Sequence, residues 1–168
     1  MRKVEVLHEF AALYQSGKAV THDGWHAGAA LGDRDGEGVM LAYHDSGDEV
    51  QFTFRTGERA LFGITEGGNR PPLPRYGYQV WHLRPGVGGA VDERVGRLEV
   101  TGSDGVAVPA EIVAHTFTVN IDIGPAPRTM DEIFDWQAPE LTVRVFDKAG
   151  AVLYEGPLLN EQWHGKAS

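Results

Sequence analysis

The sequence predicts an all-β protein: an antiparallel β-barrel or two-layer β-sandwich of about eight strands, with an N-terminal helix and one short late helix. Three observations carry this reading. From about residue 38 onward apolar residues recur with a period of two. The apolar runs are short and are bounded by Gly, Asp, Asn and Pro turn signals. The 168 residues include 22 glycines and 9 prolines, a density that implies many turns. Strands joined by tight turns pair antiparallel, because parallel neighbours need long crossovers. The length fits a single domain over residues 1–168.

Residues 4–15 read as a helix, with Val4, Leu7, Ala11 and Tyr14 at helical spacing, Phe10 widening the stripe and Gly17 ending it. The β body is expected over about 38–155. Residues 39–44 form an apolar run, followed by the turn Ser46-Gly47-Asp48. Val50, Phe52 and Phe54 then alternate with Gln51, Thr53 and Arg55, the pattern of a strand with one wet face. Thr56-Gly57-Glu58 turns the chain into a strand over 59–65. Residues 67–74 form the one long loop, since Pro71, Pro72 and Pro74 cannot donate to a sheet ladder. Residues 76–83 are bulky on both faces and suit a strand covered on both sides, whereas 84–90 read as a Gly-rich connection.

Further on, 94–101 and 106–108 form a hairpin around Gly102-Ser103-Asp104-Gly105, with Pro109 at its edge. Residues 111–123 are the longest strand candidate. Val113, His115, Phe117, Val119, Ile121 and Ile123 share one face, and Thr116, Thr118, Asn120 and Asp122 share the other. Thr129-Met130-Asp131-Glu132 matches a capping box and opens a short helix through Trp136, which stops before Pro139. Residues 141–145 and 152–155 flank the turn Asp147-Lys148-Ala149-Gly150 as a last hairpin.

Composition excludes several functions. The net charge is −9 and the arginines are scattered, so no nucleic-acid partner and no anionic membrane surface are expected. No run approaches the ~20 apolar residues of a membrane span. Cysteine is absent, which removes thiol chemistry, Cys-type zinc sites and disulfides. The N-terminal residues, interrupted by Glu5, His8 and Glu9, lack a signal-peptide core, so a cytoplasmic location is expected. The excess of arginine over lysine points by association to a GC-rich bacterial genome. Dinucleotide, Walker, nucleophile-elbow and H-E-x-x-H motifs are missing, and no cofactor is expected. The segment Asp33-Arg34-Asp35-Gly36-Glu37-Gly38 lacks the ligand spacing of a calcium loop and reads as a solvated acidic turn.

Seven histidines are the remaining chemical lead. His82 and His115 fall in line with apolar residues of their strands, where an imidazole must find a hydrogen bond or face a cavity. With Tyr78 as a hydroxyl donor they form the expected acid–base set, and Tyr43, Trp81, Phe117 and Trp25 are the expected ligand-contacting aromatics. His22 and His26 flank Asp23-Gly24-Trp25; with His44 or Asp45 they are a weaker metal-ligand candidate, because Gly24 argues for a loop, and no metal residue is assigned. The expected function is binding of a small apolar or aromatic molecule in an internal pocket, extending to cofactor-independent isomerisation, cyclisation or hydrolysis. The alternative is a non-catalytic structural or interaction module whose aromatics build a core and an oligomer interface, with a metal enzyme third.

Overall fold

A computed structural model describes residues 3–17, 21–32, 38–46, 49–54, 63–67, 76–82, 86–121, 128–135 and 140–158. Among these, thirteen strands form three open antiparallel sheets, and no sheet closes into a barrel. The alternation in the sequence therefore resolves as stacked sheets.

Helix α1 (Lys3–Gln15) follows the expected bounds, and its chain leaves through Gly17 at φ +79°. It lies on the first sheet, whose order is β1 (Thr21–His22), β2 (Trp25–Gly32), β3 (Gly38–His44), β4 (Glu49–Phe54) and β5 (Gly63–Gly67). Val6, Leu7, Phe10 and Ala11 of the helix pack with Trp25, Met40, Ala42, Val50 and Phe52. Phe10 stacks on Phe52 with ring centroids 5.7 Å apart. Each buried Val, Leu, Met or Phe among them contributes roughly 1.5–3 kcal/mol of transfer free energy.

The β structure begins at Thr21, well before the expected 38. The segment Trp25–Gly32 is mostly Ala and Gly, residues with little intrinsic strand preference. Tertiary pairing sets its conformation instead. Gly28 and Ala29 together oppose Leu41, a bulge in the β2–β3 ladder, and a Cβ on Gly28 would lie 2.4 Å from Thr116 Oγ1. Only small residues let the second sheet approach this closely.

That second sheet has the order β10 (Glu111–Val113), β11 (Thr116–Val119), β7 (Val87–Val91) and β6 (Tyr78–His82). Within the Gly-rich connection expected at 84–90, residues 87–90 belong instead to β7, an interior strand of this sheet. The reason is steric: a Cβ at Gly89 would sit 1.9 Å from the Gln79 carbonyl oxygen, so the crowded backbone accepts only glycine. The single strand expected over 111–123 is a hairpin, β10 and β11, with Ala114 and His115 as its two-residue turn and Ala114 at φ +52°. Thr116 and Thr118 reach the first sheet: the Ala29 N–H donates to Thr116 Oγ1, and Thr118 Oγ1 donates to the Ala30 carbonyl. Phe117 and Val119, on the opposite face, enter the second core.

The third sheet has the order β13 (Val152–Pro157), β12 (Thr142–Asp147), β8 (Val95–Thr101) and β9 (Ala107–Pro109). Both hairpins expected from their Asp/Gly turns are present, and Pro109 ends the edge strand. Leu98, Val100, Val143 and Val145 face Tyr78, Val80, Val87, Phe117 and Val119 across the second core. The layers thus run helix, sheet, sheet, sheet, and β11 of the middle sheet is covered on both faces, by β2 on one and by the second core on the other. Helix α2 (Met130–Asp135) matches the expected late helix. No helix among the described residues is long and apolar enough to cross a membrane.

Candidate functional site

Among the described residues, a group of chemically competent side chains gathers where β1, β2 and β3 meet. Asp23 and Gly24 both have positive φ, +54° and +84°, the type I′ geometry that joins two strands with the right twist. The turn sets the pairs His22↔Trp25 and Thr21↔His26, and β3 places His44 opposite Trp25 and Tyr43 opposite His26. Alternation then sorts the two rows onto opposite faces. His22, Trp25 and His44 face α1; Thr21, His26 and Tyr43 face away from it.

On the helix side, the His22 Nε2–H reaches Glu9 Oε2 of α1 at 3.0 Å. Trp25 is buried and meets the His44 ring edge-on at 4.9 Å. His44 Nε2 donates to the Asp23 carbonyl at 3.1 Å, so its Nδ1 is the acceptor for the Ser46 N–H at 3.0 Å and the Ser46 hydroxyl at 2.8 Å. These bonds hold one neutral tautomer and pin the turn. A Cβ on Gly24 would lie 2.5 Å from His44 Nε2, so the ring and the glycine fit only together.

On the other side, His26 Nε2 lies 2.7 Å from Asp45 Oδ1. A carboxylate only accepts, so Nε2 carries the proton. When the ring is neutral, Nδ1 is the acceptor facing Thr21 Oγ1 at 3.3 Å. Tyr43 stacks on the His26 ring, with centroids 5.1 Å apart and planes 24° from parallel. Hydroxyl, imidazole and carboxylate stand in line, the order in which a carboxylate orients a histidine base toward a proton donor. The Asp45 side chain is 71% exposed, so its role is orientation, with a net attraction of at most about 1 kcal/mol.

The expected site residues are divided among distinct places. Tyr43 belongs to the His26 row, and Trp25 lies beneath it in the helix-covered core. Tyr78 and Phe117 pack in the core between the second and third sheets. His115 is half-buried in the β10–β11 turn, where its carbonyl accepts the Val91 N–H at 2.8 Å. Trp81 and His82 lie on β6, and their side chains fall outside the described residues. His115 neighbours Asp92, a buried carboxylate in the β7–β8 turn. Burial works to raise the Asp92 carboxyl, but hydrogen bonds from the Arg94 side chain and backbone, the Arg94 charge and the His115 charge together lower it. Among the described residues no group of three His, Asp or Glu side chains could hold a metal ion: His22, His26 and His44 each turn to a different partner. Of the loop expected at 67–74 and the acidic turn expected at 33–38, Gly67 ends β5 and Gly38 begins β3; their other residues, with Trp136 and Trp163, lie outside the described residues.

A loop at Gly24, as the sequence suggests, would not bring Thr21, His26 and Asp45 together. The signal that reveals their grouping is Asp23-Gly24 itself, the dipeptide most specific for a two-residue hairpin. No protein-family model matches the chain, and no characterised protein or solved structure was found that resembles it. Fold and site define its class: a β protein of three stacked sheets with an imidazole–carboxylate pair beside a stacked tyrosine.

Proposed function

We propose that the chain binds a small aromatic or apolar molecule at the Thr21–His26–Tyr43 row, and that His26 exchanges a proton with it or with Thr21. The observation that carries this reading is the 2.7 Å contact between His26 Nε2 and Asp45 Oδ1, which leaves Nδ1 as a base with a hydroxyl in front of it. The stacked Tyr43 and His26 rings favour a planar aromatic ligand that extends the stack. The chemistry is proton transfer, as in isomerisation, cyclisation or hydrolysis, and uses side chains alone. The net charge of −9 disfavours polyanionic ligands and favours neutral or cationic ones.

Hydrolysis of p-nitrophenyl acetate tests the reading, because any accessible imidazole cleaves this ester and an oriented one cleaves it faster. The wild-type protein should exceed seven equivalents of free imidazole at the same pH, the number of histidines in the chain. His26→Ala should remove the excess, and Asp45→Asn and Thr21→Val should reduce it, while His8→Ala leaves it intact. A wild-type rate no higher than the summed free imidazole overturns the proposal.

A further inference from the structure

Helix α2 has six residues, none of them buried. Its conformation is set locally. The Glu132 N–H donates to Thr129 Oγ1 at 3.1 Å, Glu132 Oε2 accepts the Thr129 and Arg128 N–H groups, and the Ile133 N–H donates to the Thr129 carbonyl at 3.0 Å. A reciprocal cap of this kind holds a helical turn without tertiary packing.

The side chains that the helix presents are unusual for a surface. Of the five large apolar side chains that stand exposed among the described residues, three are on α2: Met130 at 64%, Ile133 at 52% and Phe134 at 77%. They occupy positions i, i+3 and i+4, the spacing of anchors on one helix face. Asp131, Glu132 and Asp135 fill the remaining positions. A turn that is already capped loses less entropy on docking than an unfolded segment would.

We propose that α2 is a docking helix that inserts Met130, Ile133 and Phe134 into an apolar groove rimmed by Lys and Arg on a different protein. Charge selects this occupant. A symmetric contact with a second copy would set one acidic helix against another, on chains that each carry −9. An anionic bilayer is repelled by the same carboxylates. A basic-rimmed groove satisfies both the apolar anchors and their acidic flanks. This inference is independent of the His26 site, and variants at either place leave the other intact.

The probe is p-benzoyl-phenylalanine incorporated in place of Phe134, photo-crosslinked in cells, with the joined peptides identified by mass spectrometry. The expected product joins α2 to an identified second protein, at a site lined by apolar side chains and flanked by Lys or Arg. With that protein purified, Phe134→Ala and Ile133→Asp should weaken binding roughly tenfold or more, the loss typical of a central anchor. Asp131→Lys/Asp135→Lys should weaken it further, and a charge reversal on the partner's rim should restore it. Thermal melts of these variants should match wild type, because α2 contributes no buried residue. Crosslinking to a second copy only, crosslinking to no protein, uptake on phosphatidylglycerol vesicles, or a partner that binds Ile133→Asp as well as wild type would each overturn the proposal.

Discussion

The backbone N–H of Ala29 donates to Thr116 Oγ1 at 2.8 Å, joining two sheets across 87 residues of sequence. The β2 bulge removes this amide from its own ladder, and the threonine hydroxyl takes it up while donating to the Val113 carbonyl at 2.8 Å. One fully buried hydroxyl therefore closes a bulge, the β10–β11 turn and the sheet-to-sheet contact. Thr116→Val keeps the shape and removes the hydroxyl, taking the acceptor from the buried Ala29 N–H and one bond from the Val113 carbonyl. The expected loss is about 1–3 kcal/mol in urea unfolding at neutral pH. Thr116→Ser should recover most of it, and a valine variant as stable as wild type would contradict this account.

The same hydroxyl shows what the sequence can and cannot reveal. The alternation from Thr116 to Val119 places Phe117 and Val119 toward the core correctly, because period-two patterning reports local geometry. It also places Thr116 and Thr118 with Asn120 and Asp122 on the polar side of the strand. The two threonines are buried, because a sheet distant in the sequence covers them, and only tertiary structure shows that. The hairpins around Asp104-Gly105 and Asp147–Gly150 and the capping box at Thr129 are legible, since their cause lies within a few residues. The turn at Ala114-His115 carries no Gly, Asn or Asp, so the two strands beside it read as one. Gly89 is the opposite case: it suggests a connection, yet it serves a central strand by its lack of a side chain. Tyr43 was legible as a candidate from its type, but the partner that gives it chemical meaning, His26, depends on register across three strands.

Asp92 gives the protein an acid-sensitive joint between the second and third sheets. Its carboxylate takes the Arg94 guanidinium at 2.7 Å and the Arg94 N–H at 2.8 Å, and its own N–H donates to the Gly77 carbonyl at 2.9 Å. The carboxyl is held below its ordinary value, so the folded state binds this proton less readily than the unfolded chain. The stabilisation is therefore complete above the unfolded value of about 3.9 and is lost as pH falls through the lowered folded value. Asp92→Asn should cost roughly 1.5–3 kcal/mol at pH 7, and the gap from wild type should narrow by pH 3. Urea titrations at the two pH values decide it; a pH-independent gap would mean that the charge contributes nothing.

Two glycines separate steric from conformational need. A Cβ at Gly89 collides with backbone at 1.9 Å, whereas Gly105 has open space but φ +75°. Gly105→Ala should cost only about 1 kcal/mol, the left-handed penalty. Gly89→Ala must push β6 and β7 apart and should cost clearly more, in the range of about 3 kcal/mol or above. Thermal melts of the two variants should fall in that order, and the reverse order would refute the close approach of these strands.

Tyr154 links the edge of the third sheet to the second. Its ring stacks on Tyr76 at 4.1 Å and approaches Tyr78 at 6.3 Å, and its hydroxyl donates to the Pro157 carbonyl at 2.7 Å. Burial first, and the neighbouring Tyr76 phenol second, push the Tyr154 hydroxyl above its ordinary value. A raised phenol binds its proton more tightly in the folded state, so its stabilisation is complete below the unfolded value of about 10 and disappears as pH rises through the folded one. Absorbance at 295 nm should show a late-ionising tyrosine that is missing in Tyr154→Phe. The phenylalanine variant should also lose about 1 kcal/mol at pH 7, the usual worth of one hydrogen bond, and should lose less additional stability than wild type between pH 9 and pH 11. If the late component persists in Tyr154→Phe, the raised group is another tyrosine and the stacked pair does not set the alkaline limit of the fold.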